Sequence, residues 1–317
     1  MSVKQLRETP RRLKPAKLRG FRQQWMLWAM ALPALVLLLV FNYLPMIGLI
    51  MAFQDLDFSK GIFTSPWCGL QNFKFLFATS DAWVITRNTV AYNVTFIIVN
   101  TFLSVALALA INELTNKTFS KVVQTIFIMP YFLSMVVVGM VVFGFLNPTA
   151  GFVNNVLESL GMKPVSWYND PKPWPYLFVF ISAWKNVGYS SVIYTAVISG
   201  ISKDYYEAAA LDGASRFQQM LHITLPHLKT IICIGLIRDA GYVFRSDFGL
   251  FYTVTRNSGA IYDVTNTLDV YIYNGLQKGG SAGMTTAAGF YQSVVGLFLV
   301  LLVNWIIKKL DSESAMF

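Results

Sequence analysis

Charged side chains cluster late in this chain, within a stretch that is otherwise apolar. They are Arg238, Asp239, Arg245 and Asp247, with Tyr242 among them. An ionisable group at membrane depth is costly, so it usually faces a cavity or an opposite charge. One interpretation is that these groups contact a polar solute. The other, which the sequence leaves open, is that the arginines and aspartates pair with each other near the outer interface of a membrane.

If this stretch is one helix, Arg238 and Arg245 lie two turns apart on the same face, and Asp239 is free to pair with a neighbouring helix. A second polar set lies on the preceding apolar segment: Trp184, Lys185, Asn186, Tyr189, Ser190 and Tyr194. Its rings and hydrogen-bonding groups also suit contact with a solute. Anchoring at the membrane interface or packing within a bundle would equally explain Trp184 and Tyr189.

The composition indicates what must position these residues. Hydrophobic residues make up 55% of the 317 residues and charged residues 13%, about half the charged share of a soluble domain. A membrane span needs roughly 20 mostly apolar residues. Six windows qualify: 27–53, 88–111, 122–146, 176–200, 228–250 and 286–307. We therefore predict an all-α membrane protein with six transmembrane helices.

The charge distribution predicts how these spans are oriented. Eight of the 25 Lys and Arg residues precede Trp25, where they suit the anionic inner leaflet better than a nucleic acid. With both termini inside, inner segments hold fifteen Lys and Arg residues and outer loops hold seven, as the positive-inside rule favours. The domains are then a basic cytoplasmic tail (1–24), the membrane domain (25–310) and a cytoplasmic C-terminal tail (311–317).

Several local features are expected along the chain. Pro130 should break the third span, a short interfacial helix is expected within 151–160, and 252–285 is expected to be a polar outer loop. The first apolar run is too long for the hydrophobic region of a signal peptide, so we interpret it as a retained span.

The segment 203–226, between spans four and five, predicts a compact helical hairpin in the cytoplasm. Residues 205–211 form a short helix with a narrow alanine face, which lets another surface approach its backbone. Gly213 permits the turn that ends this helix. A second short helix is expected over 215–222, and Pro226 suits the first turn of the next long helix.

The spacing of this hairpin is specific. It reads Glu207-Ala208-Ala209, three residues, Gly213, nine residues, Ile223, one residue, Leu225-Pro226. This pattern resembles the EAA loop of permease subunits from bacterial binding-protein-dependent ABC importers, and it fills every fixed position. Segments 41–45, 247–251 and 291–296 and the terminal Phe317 are similar to the branch that imports oligosaccharides and polysaccharide fragments.

The resemblance implies a type I importer bundle in the bacterial cell membrane and a coupling role for the hairpin. Glu207 would contact a separate ATPase subunit, and Ala208 and Ala209 would allow close approach. The full expected coupling set is Tyr206, Glu207, Ala208, Ala209, Leu211, Asp212, Gly213, Arg216, Phe217, Ile223, Leu225 and Pro226. ATP closure of the ATPase pair would carry the hairpins together, rock the spans and switch a central cavity from inward-facing to outward-facing.

The implied partners are a second, related permease subunit, two ATP-binding subunits, an extracytoplasmic solute-binding protein and a carbohydrate. The candidate substrate path is Trp184, Asn186, Tyr189, Tyr194, Arg238, Asp239, Tyr242, Arg245 and Asp247, contacting sugar hydroxyls or a uronate carboxylate.

No catalytic or metal-binding motif accompanies these features. The phosphate-binding pattern G-x-x-x-x-G-K-[ST] does not occur, so ATP and Mg²⁺ are expected only on the partner ATPase. The glycine-rich stretch 279–283 lacks the lysine and is interpreted as a flexible outer loop. His222 and His227 have no third ligand nearby in the sequence. The competing interpretations are an ion-coupled secondary transporter, an ABC permease for a non-sugar solute and a membrane-embedded enzyme.

Overall fold

The computed structural model describes residues 25–57, 59–74, 80–277 and 281–310. The predicted tails (1–24 and 311–317) and part of the predicted glycine-rich loop (278–280) lie outside the described residues. Within the described residues every regular element is helical, apart from one isolated antiparallel bridge between Gln54 and Trp67. The chain divides into two units, Met1–Ile50 and Met51–Phe317.

The first unit consists, in its described part, of one apolar helix. This helix begins as α1 (Trp25–Leu38) and continues through a π-helical turn (Leu39–Tyr43) into a 3₁₀ segment (Leu44–Phe53), whose last three residues are counted with the second unit. Its 29 residues exceed the roughly 20 that a membrane span requires.

The second unit contains the remaining helices. They are α2 (Ser80–Asn112), α3 (Lys117–Ile128), α4 (Met135–Leu146), α5 (Phe152–Ser159), α6 (Trp174–Ser199), α7 (Lys203–Leu211), α8 (Arg216–Ala240), α9 (Tyr262–Thr265), α10 (Leu268–Gln277) and α11 (Ala282–Leu310). Shorter segments are 3₁₀ at Gln71–Phe73, Met129–Phe132 and Gly259–Ile261, and π-helical at Met220–Thr224, within α8, and at Gly249–Val254.

Helix length and composition confirm a membrane protein. Four described helices are long and apolar enough to cross a bilayer: Trp25–Phe53, Ala82–Asn112, Arg216–Ala240 and Ala282–Lys309. A fifth span results if the bent pair Lys117–Phe132 and Met135–Leu146 crosses as one unit. The predicted fourth span is α6, which has 26 residues but a more polar sequence. The total of six spans stays a prediction.

The bend in the third predicted span lies next to Pro130. The 3₁₀ turn Met129–Phe132 ends α3, and the chain is extended at Leu133. Ser134 then caps α4 by accepting a hydrogen bond from the Val137 N–H at 3.3 Å. The two helices differ in direction by 99°. The predicted break at Pro130 is thus confirmed, within a few residues.

Aromatic side chains form the core between α2, α6 and the segment after α8. Phe178 and Trp174 of α6 are fully buried and lie beside Tyr92 of α2 and Phe251. Further along α6, Gly188 lies against the backbone of α3. The approach is so close that a Cβ atom on this residue would overlap the carbonyl group of Phe127. Small residues commonly allow such close approach between membrane helices.

The fifth predicted span is wrong at its second half. The helix α8 ends at Ala240 and the chain turns over 241–244, so Arg238 and Arg245 do not share a helical face. Side chains from other helices hold this turn: Asn93 of α2 donates to the carbonyls of Val243 and Arg245, both at 2.9 Å. These bonds replace the helical ones that the apolar sequence would otherwise make.

Two further boundaries differ from the predictions. The expected second short helix of the hairpin is the beginning of α8, a continuous 25-residue helix. The expected polar outer loop 252–285 contains the helix α10, which buries Leu268 and Val270. The short helix expected within 151–160 is present as α5.

Candidate functional sites

Local backbone chemistry sets the shape of the hairpin formed by α7 and the beginning of α8. Ser202 caps α7 by accepting a hydrogen bond from the Asp204 N–H at 3.3 Å. At the other end Gly213 adopts a positive φ of 83°. The Ala214 N–H then donates to the Ala209 carbonyl at 2.9 Å, and the Gly213 N–H donates to Ala210 at 3.1 Å. This pair of bonds is the Schellman motif, so Gly213 has the role that the sequence predicts for it.

The second arm of the hairpin begins with a reciprocal cap. The Ser215 hydroxyl accepts from the Gln218 N–H at 3.3 Å, and the Gln218 side chain accepts from the Ser215 N–H at 2.8 Å. Further along, the hydroxyls of Tyr206 and Thr224 bond at 2.9 Å. This contact fastens α7 to α8, and the π-helical turn Met220–Thr224 ends two residues before Pro226.

The outer surface of the hairpin carries apolar side chains. Leu211 is 90% exposed and Phe217 is 66% exposed, and both belong to the predicted coupling set. Also exposed are Glu207, Ala208, Asp212, Gly213, Arg216, Leu225 and Pro226, whereas Tyr206, Ala209 and Ile223 are half-buried. Exposed apolar residues rimmed by polar ones are typical of a surface that binds another protein.

Charged residues line a cavity of about 740 Å³ between the hairpin and the adjacent ends of α2 and α6. Glu207 and Lys203 lie here with Glu113 and Arg216. Arg216 Nη1 is 3.5 Å from Glu113 Oε2 in an exposed ion pair. Within the described part of the chain, Glu207 forms no ion pair, which leaves its carboxylate available.

A second cavity, the polar cleft, lies between α2, α6 and the end of α8, with a volume of about 370 Å³. Seven of the predicted path residues line it: Asn186, Tyr189, Tyr194, Arg238, Asp239, Tyr242 and Asp247. The structure thus brings together most of the two polar sets that the sequence separates by about fifty residues.

Two predicted path residues lie elsewhere. Trp184 lines an apolar groove of about 380 Å³ formed by α4 and α6. The Arg245 guanidinium lies 6.0 Å from the centre of the Tyr242 ring, and its backbone is held by Asn93 as described above. Neither side chain lines the polar cleft.

The charges of the polar cleft are partly neutralised within it. Arg238 Nε donates to Asp239 Oδ1 at 2.8 Å, so Asp239 pairs with its neighbour in sequence, as in the interpretation in which these arginines and aspartates pair with each other. Asp247 accepts from the Leu250 N–H at 3.1 Å and begins the following π-helical turn. The cleft therefore presents a charge pair, one further carboxylate and several neutral hydrogen-bonding groups.

The structure also adds residues that the sequence analysis missed. Asn93, Asn100 and Thr101 of α2 line the polar cleft, as do Tyr131 and Ser182. Asn100 Nδ2 donates to the Ser182 hydroxyl at 3.1 Å, while its Oδ1 is buried without a hydrogen-bond partner among the described residues. The spacing of Asn93 and Asn100, two helical turns in an apolar span, is the signal that would have identified them.

Comparison with known proteins decides the family. Residues 100–312, well over half of the chain, match the family described as binding-protein-dependent transport system inner membrane component. The chain belongs to this family.

The permease is similar to a polygalacturonan/rhamnogalacturonan transport system permease protein, YteP, of Bacillus subtilis (strain 168). The two are 33% identical over 292 residues, which cover 92% of this chain and 90% of that protein. The present permease also matches the crystal structure of a bacterial ABC transporter involved in the import of the acidic polysaccharide alginate. The TM-score is 0.83 and the identity 32%, and the match covers 92% of this chain and 98% of that chain.

A second crystal structure gives the same result. It is a bacterial alginate ABC transporter in complex with an alginate pentasaccharide-bound periplasmic protein. The permease matches it with a TM-score of 0.83, 31% identity and coverage of 92% of this chain and 96% of that chain. The resemblance to ABC-importer permeases is thereby confirmed, and this permease is a membrane transport subunit rather than an enzyme.

Proposed function

We propose that the permease forms half of the translocation path of an ATP-driven importer of oligosaccharides or polysaccharide fragments. The observation that carries this proposal is the composition of the polar cleft, where tyrosine rings alternate with amide and hydroxyl groups. Sugars offer apolar ring faces and many hydroxyls, so they suit both kinds of group. The similar permease belongs to a polygalacturonan/rhamnogalacturonan transport system, and the alginate transporter imports an acidic polysaccharide; both support the same substrate class.

Within this proposal the residues of the cleft divide into two roles. Tyr189, which is 41% exposed, supplies an aromatic face, and Asn186 supplies an amide that donates and accepts, whereas Tyr194 lines the cleft with a largely buried ring. Within the described residues, Arg238 bonds only through Nε to Asp239, so its other guanidinium N–H groups have no described partner. Those donors suit a hydroxyl or a uronate carboxylate.

The hairpin is the proposed contact with a separate ATPase subunit, which binds ATP and Mg²⁺. Leu211 and Phe217 supply apolar anchors on its exposed surface, and the Glu207 carboxylate, which forms no ion pair with the described residues, suits a basic group of the partner. A second, non-identical permease subunit encloses the other half of the path, and an extracytoplasmic binding protein delivers the solute. Both termini and the hairpin lie in the cytoplasm, where ATP is available.

The coupling proposal is tested by reversing the charge of Glu207 in the complete transporter. We expect Glu207→Lys to reach the membrane at the wild-type level but to lose co-purified ATPase or solute-stimulated ATP hydrolysis. Glu158→Lys is the matched control, because Glu158 is also exposed but lies on α5, far from the hairpin in sequence. Wild-type stimulation in Glu207→Lys contradicts the proposed coupling role.

The substrate proposal is tested with the transporter in proteoliposomes together with its solute-binding protein. Oligogalacturonide, alginate pentasaccharide, maltopentaose and glycerol 3-phosphate are compared as stimulants of ATP hydrolysis. We expect at least one saccharide to stimulate, and Asn186→Ala and Tyr189→Ala to weaken that stimulation. Tyr176→Ala serves as the control, since Tyr176 is 79% exposed at the beginning of α6. Stimulation by glycerol 3-phosphate alone refutes a saccharide substrate.

A further inference from the structure

Lys185 of α6 faces the break between α3 and α4. Its Nζ donates to the backbone carbonyl of Tyr131 at 3.0 Å and also to the carbonyl of Leu133. Nζ lies 5.8 Å from the centre of the Tyr131 ring. The side chain is half-buried and does not line the polar cleft. Lys185 is therefore bonded to the backbone at the bend and does not itself line the cleft.

The location explains why a cation is needed there. The last carbonyls of a helix have no partner within the helix, and they carry partial negative charge. Here the helix ends abruptly, since the 3₁₀ turn Met129–Phe132 is followed by extended Leu133. An ammonium group with three donors can satisfy two carbonyls that point toward the same position. Lys185 supplies this group from a different helix.

The next turn of α6 makes two further contacts with the same segment. Gly188 brings the backbone of α6 against the Phe127 carbonyl. The Tyr189 ring, four residues after Lys185, stacks on the Tyr131 ring with centroids 4.1 Å apart and planes 9° apart. Both rings line the polar cleft. The bend and the aromatic wall of the cleft are thus held by one face of α6.

We propose that Lys185 is a positioning residue: it holds the bend between α3 and α4 against α6 and thereby fixes the stacked Tyr131–Tyr189 wall of the polar cleft. The effect of Lys185 on the bend does not depend on which solute the permease transports. The consequence for saccharide binding rests on the function proposed above.

The bend is tested by distance measurement between spin labels on Phe119→Cys and Phe145→Cys in a Cys68→Ser, Cys233→Ser background. From a rise of 1.5 Å per residue and the 99° change in direction, the Cα atoms should lie about 25 Å apart, against about 37 Å for collinear helices. We expect Lys185→Met to broaden the distribution toward longer distances. Lys185→Arg, which keeps the charge and the donors, should restore the shorter distance. An unchanged distribution in Lys185→Met overturns the proposal.

A functional measurement separates positioning from direct contact. In the complete transporter, Lys185→Met should raise the half-saturating concentration of the saccharide-loaded binding protein about threefold to tenfold while the maximal ATPase rate stays the same. Lys163→Met, an exposed lysine of the loop after α5, is the matched control. Weaker stimulation with an unchanged spin-label distance shows that Lys185 acts on the substrate and overturns a positioning role. If none of the three saccharides stimulates the wild type, the proposed substrate is wrong, and the distance measurement still decides the role of Lys185.

Discussion

The strongest prediction concerns Gly213, whose backbone conformation determines where the hairpin turns. Its φ is 83°, and a Cβ atom added there would meet nothing within 4 Å. Gly213→Ala therefore adds no clash, and its whole cost is the left-handed backbone, about 1–2 kcal/mol for a residue with a Cβ. That free energy corresponds to a roughly 5- to 30-fold shift toward the opened hairpin. Asparagine tolerates this conformation better than alanine, so Gly213→Asn should cost less.

Hydrogen exchange of the backbone amides measures this shift directly. In the complete transporter we expect faster exchange over 209–219 in Gly213→Ala, with Gly213→Asn between alanine and wild type. ATP hydrolysis stimulated by the loaded binding protein should fall in the same order. Gly200→Ala is the control, because Gly200 has ordinary backbone angles and its added Cβ would make only a 3.4 Å contact with the Val197 carbonyl. Equal exchange in the alanine and asparagine variants would falsify the argument from backbone strain.

Three further predictions follow from single contacts. Gly188→Ala should destabilise the detergent-solubilised permease by about 1–3 kcal/mol or more, since the added methyl group forces α6 away from α3. Thermal unfolding measures this loss. Gly144→Ala is the control and should change the stability little, because Gly144 has open space around it. Asn154 is 2% exposed and makes four hydrogen bonds within the loop 148–167. Asn154→Ala should therefore loosen that loop by about 1–3 kcal/mol, seen as faster proteolysis than in Asn155→Ala, and equal cleavage of the two contradicts this. Arg216→Ala removes only an exposed ion pair, so its effect on stability should stay below about 1 kcal/mol; a larger loss in thermal unfolding would mean that Arg216 has another structural role.

Much of the hairpin could be predicted because its geometry is local. A serine cap, a glycine at positive φ and a reciprocal serine–glutamine cap each depend on residues a few positions apart. The polar cleft was predictable in part, since polar residues in an apolar span usually face a cavity. This argument identified Arg238, Asp239 and Asp247, which line the cleft, but also Arg245, which does not.

The end of α8 could not be predicted in this way. The predicted span continues through residues 241–250, but in the structure long-range bonds hold a turn and an extended stretch there. Asn93 binds the carbonyls of Val243 and Arg245, and the Asp269 carboxylate accepts from the Ser246 hydroxyl at 2.8 Å. Both partners lie more than twenty residues away, so no local pattern contains them. The same holds for Lys185, whose partners at the bend are more than fifty residues distant.

The continuity of α8 has a mechanical consequence. One end of this helix lies in the hairpin at Arg216, and Arg238, near its other end, lines the polar cleft. The two positions are about 33 Å apart at 1.5 Å per residue. Such a rod acts as a lever: a tilt of about 10° around the first end displaces the second by about 6 Å, more than the 5.4 Å pitch of one helical turn. Under the proposed coupling role, a rotation of the hairpin that tilts α8 by this angle would carry Arg238 and Asp239 by about one helical turn.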